Sequence, residues 1–438
     1  MIEIRPFKGV LYDQKKVTLA NVVAPPYDVI SPLEQKRFYK LHPANIIRLI
    51  LGKIYPGDNQ SRNCYIRAAQ FYKKWLGEKV LILDDSPSLY IIKTYYREGA
   101  KRKIRLGFIS LAYLKGGSKN KVFPHERTFS GPKIDRLNLL RACHVNFSQI
   151  FTLYSDPQKR VTNILKSFMR GSPLARVKYR DEEHLIWGIS DTKALDKIKE
   201  LMRPKRIFIA DGHHRYAVSQ TFRQEMEKKY GPDGFPGSAY TMFYFSNMDE
   251  EGLSILPTHR LVREGIIRPK DLEKLEGFFK INSYPYRERV SLKKVLARVV
   301  AALKKNRQSF GLVTKGEKAL KVFVLKDRAF IKKFIKERAS NYKKNLAVTI
   351  LDEGVFKGVL GIKTFEKNIF YTRDMEEAIR LVEKGPFSQG FFLNSTSLQD
   401  LKRIASRGER MPHKSTYFYP KLLSGLVIYD QERSLESA

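Results

Sequence analysis

Ile207-Phe-Ile-Ala-Asp-Gly-His-His-Arg-Tyr-Ala217 is the stretch on which the reading of this chain turns. Ile207, Phe208 and Ile209 form a short apolar run of the kind that makes a buried strand, and Ala217 to Lys229 continue with helical spacing. Between them stand a carboxylate, a glycine, two histidines and an arginine. A helix start offers unpaired backbone N–H groups and a partial positive charge, so it can receive an anion. His213, His214 and Arg215 add side-chain donors at the same point, and Gly212 lets the backbone come close. Asp211 is the odd group, since a carboxylate beside an anion needs a metal ion or a proton to manage. The combination fits phosphate or nucleotide chemistry. The structural alternative is an Asp N-cap followed by surface basic residues.

The rest of the chain sets bounds on that reading. With 438 residues, 42% hydrophobic and 12% aromatic, it can fold into two or three domains with ample core. Cys64 and Cys143 are far apart and form no CxxC pair, which argues against a disulfide framework or structural zinc and fits a reducing cytoplasm. The N-terminus lacks a signal-peptide layout, and no apolar run reaches membrane-spanning length. A soluble cytoplasmic protein is expected.

A net charge of +37 favours anionic partners. Residues 286–345 alone hold 19 Lys/Arg against 4 Asp/Glu. Much of this stretch is an amphipathic helix, with Leu292, Val295, Leu296, Val299, Val300 and Leu303 on one side and lysines on the other. A solvated helix face accounts for that pattern. No zinc-finger spacing, basic-zipper heptad or RNP-like motif appears, so nucleic acid is permitted by the charge but not favoured.

Predicted strands and helices mix without strict alternation, which favours an α+β class. Strands are predicted near 80–83, 89–96, 105–114, 150–154 and 240–246, with a buried strand over Asn45 to Leu51 and another over Leu253 to Val262. Ser31-Pro32-x-Glu34 reads as the capping box of a helix. The boundaries drawn are an N-terminal α/β region over 1–118, a core domain over 119–264 and a basic C-terminal α/β region over 265–438.

Six motifs in order carry a resemblance. They are Ala24-Pro-Pro-Tyr-Asp-Val-Ile-Ser31, His125-Glu-Arg-Thr128, Asp135-Arg-Leu137, Ile209-Ala-Asp-Gly-His-His-Arg-Tyr216, Leu256-Pro-Thr-His-Arg-Leu261 and Met411-Pro-x-Lys-Ser-Thr-Tyr-Phe-x-Pro-Lys421. The chain resembles, over nearly its whole length, the family called domain of unknown function 1015. Locally, Asp211-Gly-His-His-Arg215 is similar to the Asp-Gly-His-x-Arg signature of free-serine kinases built on the ParB/sulfiredoxin fold, with His214 where those kinases often carry Thr. That resemblance implies mixed sheets around a ParB/sulfiredoxin-like nucleotide-binding core, a loop that holds nucleotide phosphates, and a carboxylate that activates the serine hydroxyl.

The expected function is therefore a kinase that uses ATP or ADP, with Mg2+, on a small hydroxyl metabolite, free L-serine first. Phosphoryl transfer needs a phosphate cradle, cationic neutralisation and an orienting carboxylate. Gly212, His214 and Arg215 form the expected cradle, joined in cofactor binding by His125, Arg127 and Lys414. Asp211 is assigned metal or base duty. Glu126, His213 and Asp28 are the other catalytic candidates. For Asp28, behind a stiff double-proline turn, a reacting group and an Asx-type turn residue are equal readings. His125-Glu126 is either a cleft pair or a salt-bridged loop, and His259 either lines the cleft or is a hydrogen-bonded core histidine. Lys414-Ser-Thr has no glycine-rich loop before it and is no P-loop. The alternatives kept are a ParB-like nucleotide- or nucleic-acid-binding regulator and a phosphate-ester hydrolase.

Overall fold

The computed structural model describes residues 1–114, 121–126, 128, 130–263, 269–287, 289–362 and 368–435. They gather into two compact units. The first comprises Met1–Pro124, Thr128–Ser254 and Phe418–Ala438, the second His125–Arg127 and Ile255–Tyr417. Both mix helices and strands around several sheets, which is the α+β class.

The first unit is organised by a nine-stranded sheet. Its strands are β1 (Ile4–Arg5), β2 (Leu89–Glu98), β3 (Lys101–Tyr113), β4 (Val122–Phe123), β5 (Ile150–Tyr154), β6 (Ala175–Tyr179), β7 (Glu182–Ile189), β8 (Ile207–Asp211) and β9 (Tyr240–Asn247). They run in the order β4-β8-β5-β9-β3-β2-β7-β6, with β1 paired to β3. Strands β2 and β3 thus share a sheet with β8 and β9, although the sequence boundary at 118 separates them. The reason is pairing between distant segments: β9 matches β3 from Tyr240↔Tyr113 to Ser246↔Gly107.

One face of the sheet buries Ile91, Phe108, Ile207, Ile209, Phe243 and Phe245 against Val161 and Leu165 of the helix Arg160–Ser167 and Leu195 and Ile198 of the helix Thr192–Met202. Each such side chain contributes about 1.5–3 kcal/mol on burial, so this face dominates the core. On the other face lie Phe151 and Tyr244, and there the C-terminal segment returns. Phe418 meets Phe151 edge-on at 5.5 Å, and Tyr429 meets Phe7 at 5.6 Å. The Tyr72 hydroxyl donates to Asp430 at 2.8 Å, which anchors the end of that segment.

Helix α1 (Pro32–Leu41) starts on the expected capping box: Ser31 accepts from the Glu34 N–H while the Glu34 carboxylate accepts from the Ser31 N–H at 2.9 Å. The Asn45 to Leu51 strand is not formed. A single helical turn, Ile47–Ile50, stands there, and the Asn45 Oδ1 accepts from the Ile47 N–H at 2.9 Å. A run buried on all sides carries no periodicity to separate the two forms. Helices α2 (Ser130–Cys143) and α3 (His213–Tyr230) belong to the same unit. The strand expected over Leu253 to Val262 is broken at Pro257 and Thr258 into Ser254–Leu256 and His259–Arg263.

The second unit holds an all-antiparallel six-stranded sheet. Its strands are β10 (His259–Arg263), β11 (Phe279–Pro285), β12 (Ser309–Thr314), β13 (Ala319–Leu325), β14 (Ile369–Thr372) and β15 (Phe387–Phe392), in the order β11-β13-β12-β15-β10-β14. Helices α4 (Arg289–Lys305) and α5 (Met375–Lys384) cover one face through Val295, Val299, Leu303, Ile379 and Val382. The helix Ala329–Phe334 and a π-helical segment, Ile350–Val359, cover the other through Phe330, Leu351, Val355 and Phe356. The amphipathic stripe read in the sequence is α4, with Lys293, Lys294, Lys304 and Lys305 exposed. Among the described residues no helix is long and apolar enough to cross a membrane.

Candidate functional site

The quoted stretch builds the site by two local devices. The first is a β-bulge. Phe208 pairs with Leu153 and Ile209 with Thr152, but Asp211 pairs with Phe151. The extra residue, Ala210, turns Asp211 onto the face that carries Phe151, away from the core face of Ile209. The second is Gly212, which takes φ +91° and stands as N-cap of the 18-residue α3 with no side-chain cap bond. A β-carbon there would lie 3.0 Å from the Arg215 guanidinium. The Asp N-cap reading is thereby corrected: Asp211 ends the strand, and its carboxylate is held by side chains.

Those side chains are cations. Arg215 Nη2 donates to Asp211 Oδ2 at 2.9 Å, and Lys421 Nζ donates to Asp211 Oδ1. Arg215 Nη1 donates to the Gln149 carbonyl, while Arg215 Nε is buried without a partner. Only 10–15% of each of the three side chains is exposed. Two cations face one carboxylate at the positive end of a long helix, so the cluster keeps a surplus of positive charge. His213 is buried and His214 half-buried in the first turn.

Two further motifs meet the same loop. Pro25 and Pro26 lead into a 3-10 turn, Tyr27–Val29, in which Asp28 is exposed. The Arg136 guanidinium of α2 lies 4.0 Å from the centre of the Tyr27 ring and donates to Asp135 at 2.8 Å and to the Ile50 carbonyl at 2.6 Å. A cavity of about 60 Å3 is lined by Tyr27, Arg136, Ser148, Arg215, Ser219 and Thr241. Burial pushes the Tyr27 hydroxyl up to about 12, Asp28 adding to the rise while Arg136 and Arg215 oppose it.

The remaining candidates belong to the second unit. Glu126 accepts from the Lys414 N–H at 2.6 Å and pairs with His413 at 3.0 Å, and His125 Nε2 lies 2.9 Å from the Thr416 hydroxyl. Lys414 itself adopts φ +54° and engages Glu126 through its backbone. Arg260 is wholly buried and paired with Asp352 of the π-helical segment at 3.0 Å. Burial raises the Asp352 carboxyl against the opposing pull of Arg260. His259 is the hydrogen-bonded core histidine: its Nδ1 accepts from the Leu393 N–H at 3.3 Å, and burial, helped by Arg260, pushes it down to about 4. Arg127 lies outside the described residues.

Sequence reasoning missed Lys421. It closes the last motif, but no local pattern ties it to a carboxylate 210 positions earlier. Among the described residues no group of three or more His, Cys, Asp or Glu is arranged to hold a metal ion.

The family model described as "Protein of unknown function (DUF1015)" matches residues 4–352. No curated protein matches the chain. Among solved structures, the chain is similar to a conserved hypothetical protein from Pyrococcus furiosus, at 13% identity and a TM-score of 0.36 over 72% of this chain and 92% of that one. It is similar to a free serine kinase in complex with AMP, at 13% identity and a TM-score of 0.36 over 71% and 86%. It is also similar to SbnI with C-terminal truncation from Staphylococcus aureus, at 10% identity and a TM-score of 0.35 over 73% and 86%.

Proposed function

This chain belongs to the DUF1015 family, and we propose that it is a small-molecule kinase that moves a phosphoryl group from ATP or ADP to a hydroxyl metabolite, free L-serine first. The observation that carries the reading is Asp211 held between Arg215 and Lys421 at the start of α3. Catalysis of phosphoryl transfer is mostly positioning and charge stabilisation. The backbone N–H groups of His213, His214 and Arg215 give an anion its cradle, and Gly212 permits the close approach. Arg215 and Lys421 take up the negative charge that spreads over the equatorial oxygens. They also fix the Asp211 carboxylate in place, where it can orient the acceptor hydroxyl.

In this proposal the core is of the ParB/sulfiredoxin kind. His213, Glu126 and Asp28 are further acid–base candidates, and His125, Arg127 and Lys414 further phosphate contacts. Mg2+ fits the donor set in a limited way, because it commonly takes one or two carboxylates and completes its shell with phosphates and water. Asp211 is the residue that would hold it, and the ion would supply charge neutralisation at the phosphates.

The test is direct. Purified protein with ATP or ADP, Mg2+ and L-serine is followed by phosphorus NMR and mass spectrometry. Phosphoserine is the expected product. A folded protein that phosphorylates neither serine nor any of a panel of small hydroxyl compounds overturns the reading.

A further inference from the structure

Two depressions of about 670 and 730 Å3 lie side by side in the second unit and share Asn341 and Tyr342 as their common wall. Lys304, Arg307 and Arg328 line one, and Lys402, Arg403 and Arg407 line the other. All six are exposed. Among the described residues, the side chains of Lys304, Arg328, Lys402 and Arg407 form no hydrogen bond or ion pair. One carboxylate lines the pair of depressions, that of Asp400, and it is already engaged. Asp400 is buried, takes hydrogen bonds from the Tyr342 hydroxyl and from Ser397, and has Arg307 at 3.7 Å. Like charges gathered on a concave surface repel one another and gain nothing from the fold.

This is not simply what a strongly basic chain does everywhere. Another groove of the same unit, of about 900 Å3, sets Arg287, Lys293, Lys318, Arg380 and Lys384 against Asp374, Glu376, Glu377 and Glu383. There the charges neutralise each other, as in the Lys318–Glu383 pair at 3.1 Å. In the double depression, by contrast, four of the six cations have no such partner among the described residues.

Each half alone is as large as a small-ligand pocket, which spans roughly 300–1,000 Å3, and the two meet at Asn341 and Tyr342. A single compact ligand would leave half the cations unserved. A flexible chain of phosphates would reach all of them, with the Asn341 amide beside it as a further donor. A duplex, stiff over about 150 base pairs, cannot bend to follow such a concave surface as a single strand can. We propose that this double groove binds single-stranded nucleic acid through its phosphates, without reading sequence. The inference is independent of the kinase reading and gives the +37 net charge a place to act.

The experiment is fluorescence anisotropy of a labelled oligo(dT) strand titrated with the full chain across a salt series. Log affinity should fall linearly with log salt, by about 0.7 for each phosphate neutralised on a single strand. A variant with Lys304→Ala, Arg328→Ala, Lys402→Ala and Arg407→Ala should bind at least about tenfold more weakly, and its salt slope should flatten by about 3. All four positions are exposed, so circular dichroism should show an unchanged fold. A control with Lys15→Ala, Lys36→Ala, Lys40→Ala and Lys73→Ala removes the same charge from the first unit and should retain most of the affinity. The proposal is overturned if both variants lose affinity equally, if the groove variant binds like the parent, or if no binding occurs at low salt. It is equally overturned if a duplex of the same length binds as tightly as the strand, or if ADP displaces the strand.

Discussion

Asp211→Asn is the most informative single perturbation, because it removes the one negative charge from the Arg215–Asp211–Lys421 cluster and keeps its shape. At 2.9 Å and an effective dielectric of about 20, the Asp211–Arg215 attraction is about 6 kcal/mol before desolvation. Lys421 adds a contact of the same order, and desolvation of three nearly buried groups offsets most of both. Removing one partner of a buried pair costs about 3–5 kcal/mol, since it strands the other charge. Here some 10–15% of each side chain still meets water, and the asparagine carbonyl still accepts a hydrogen bond. The expected loss is about 2–4 kcal/mol in the unliganded protein. The same change adds one unit of positive charge at the start of α3, so a bound anion should stabilise the variant more than the parent. A tenfold gain in affinity appears as about 1.4 kcal/mol of extra stabilisation at saturating ADP without Mg2+. Urea unfolding followed by tryptophan fluorescence measures both quantities, because Trp75 and Trp187 lie in the first unit with the site. Kinase turnover should be lost while the fold is retained. If the variant unfolds within about 0.5 kcal/mol of the parent, or if ADP stabilises it less, the carboxylate is not balancing two cations.

Gly212→Ala places a β-carbon 3.0 Å from the Arg215 guanidinium at φ +91°, so it should cost about 1–2 kcal/mol and weaken ADP binding; a variant as stable as the parent in urea sinks the cap argument. His259, pushed down to about 4, stays neutral in the fold while the unfolded chain takes up its proton near 6.5. Its contribution is therefore complete above about 6.5 and is lost as pH falls toward 4, by up to about 3 kcal/mol. A His259→Gln variant should lack this slope, and matching pH–stability profiles would refute it. Arg105 is 1% exposed, donates through Nη1 to the Pro420 carbonyl at 2.5 Å and lies over the Phe151 and Tyr244 rings at 4.9 and 5.7 Å, but its Nε and Nη2 have no hydrogen-bond partner. Arg105→Met should leave thermal stability unchanged or raise it by about 1–2 kcal/mol, because a buried charge with no carboxylate partner among the described residues is replaced by a side chain that packs on the same two rings. A loss larger than about 2 kcal/mol refutes that view.

Local order was readable wherever a residue's own neighbours decide its conformation. The Ser31–Glu34 capping box, the helix Thr192–Met202 and the stripe of α4 all depend on contacts within a few positions. Asn45 to Leu51 was not readable, because a run buried on every side looks the same as a strand or as a helical turn. The same limit governs the site. Asp211, Gly212 and Arg215 are joined by one strand, one bulge and one helical turn, so their neighbourhood follows from the quoted stretch. The choice between Lys414 and Lys421 does not. Both stand in one motif, seven positions apart, and either would satisfy a search for a cation. What separates them is the path of the C-terminal segment, fixed by Phe418 against Phe151, Tyr419 against Tyr96 and Asp430 against Tyr72. These are long-range apolar and hydrogen-bonded contacts with no local signature. A charge–charge pair reads as interchangeable in sequence, and the packing that carries one lysine to the carboxylate is what makes it specific.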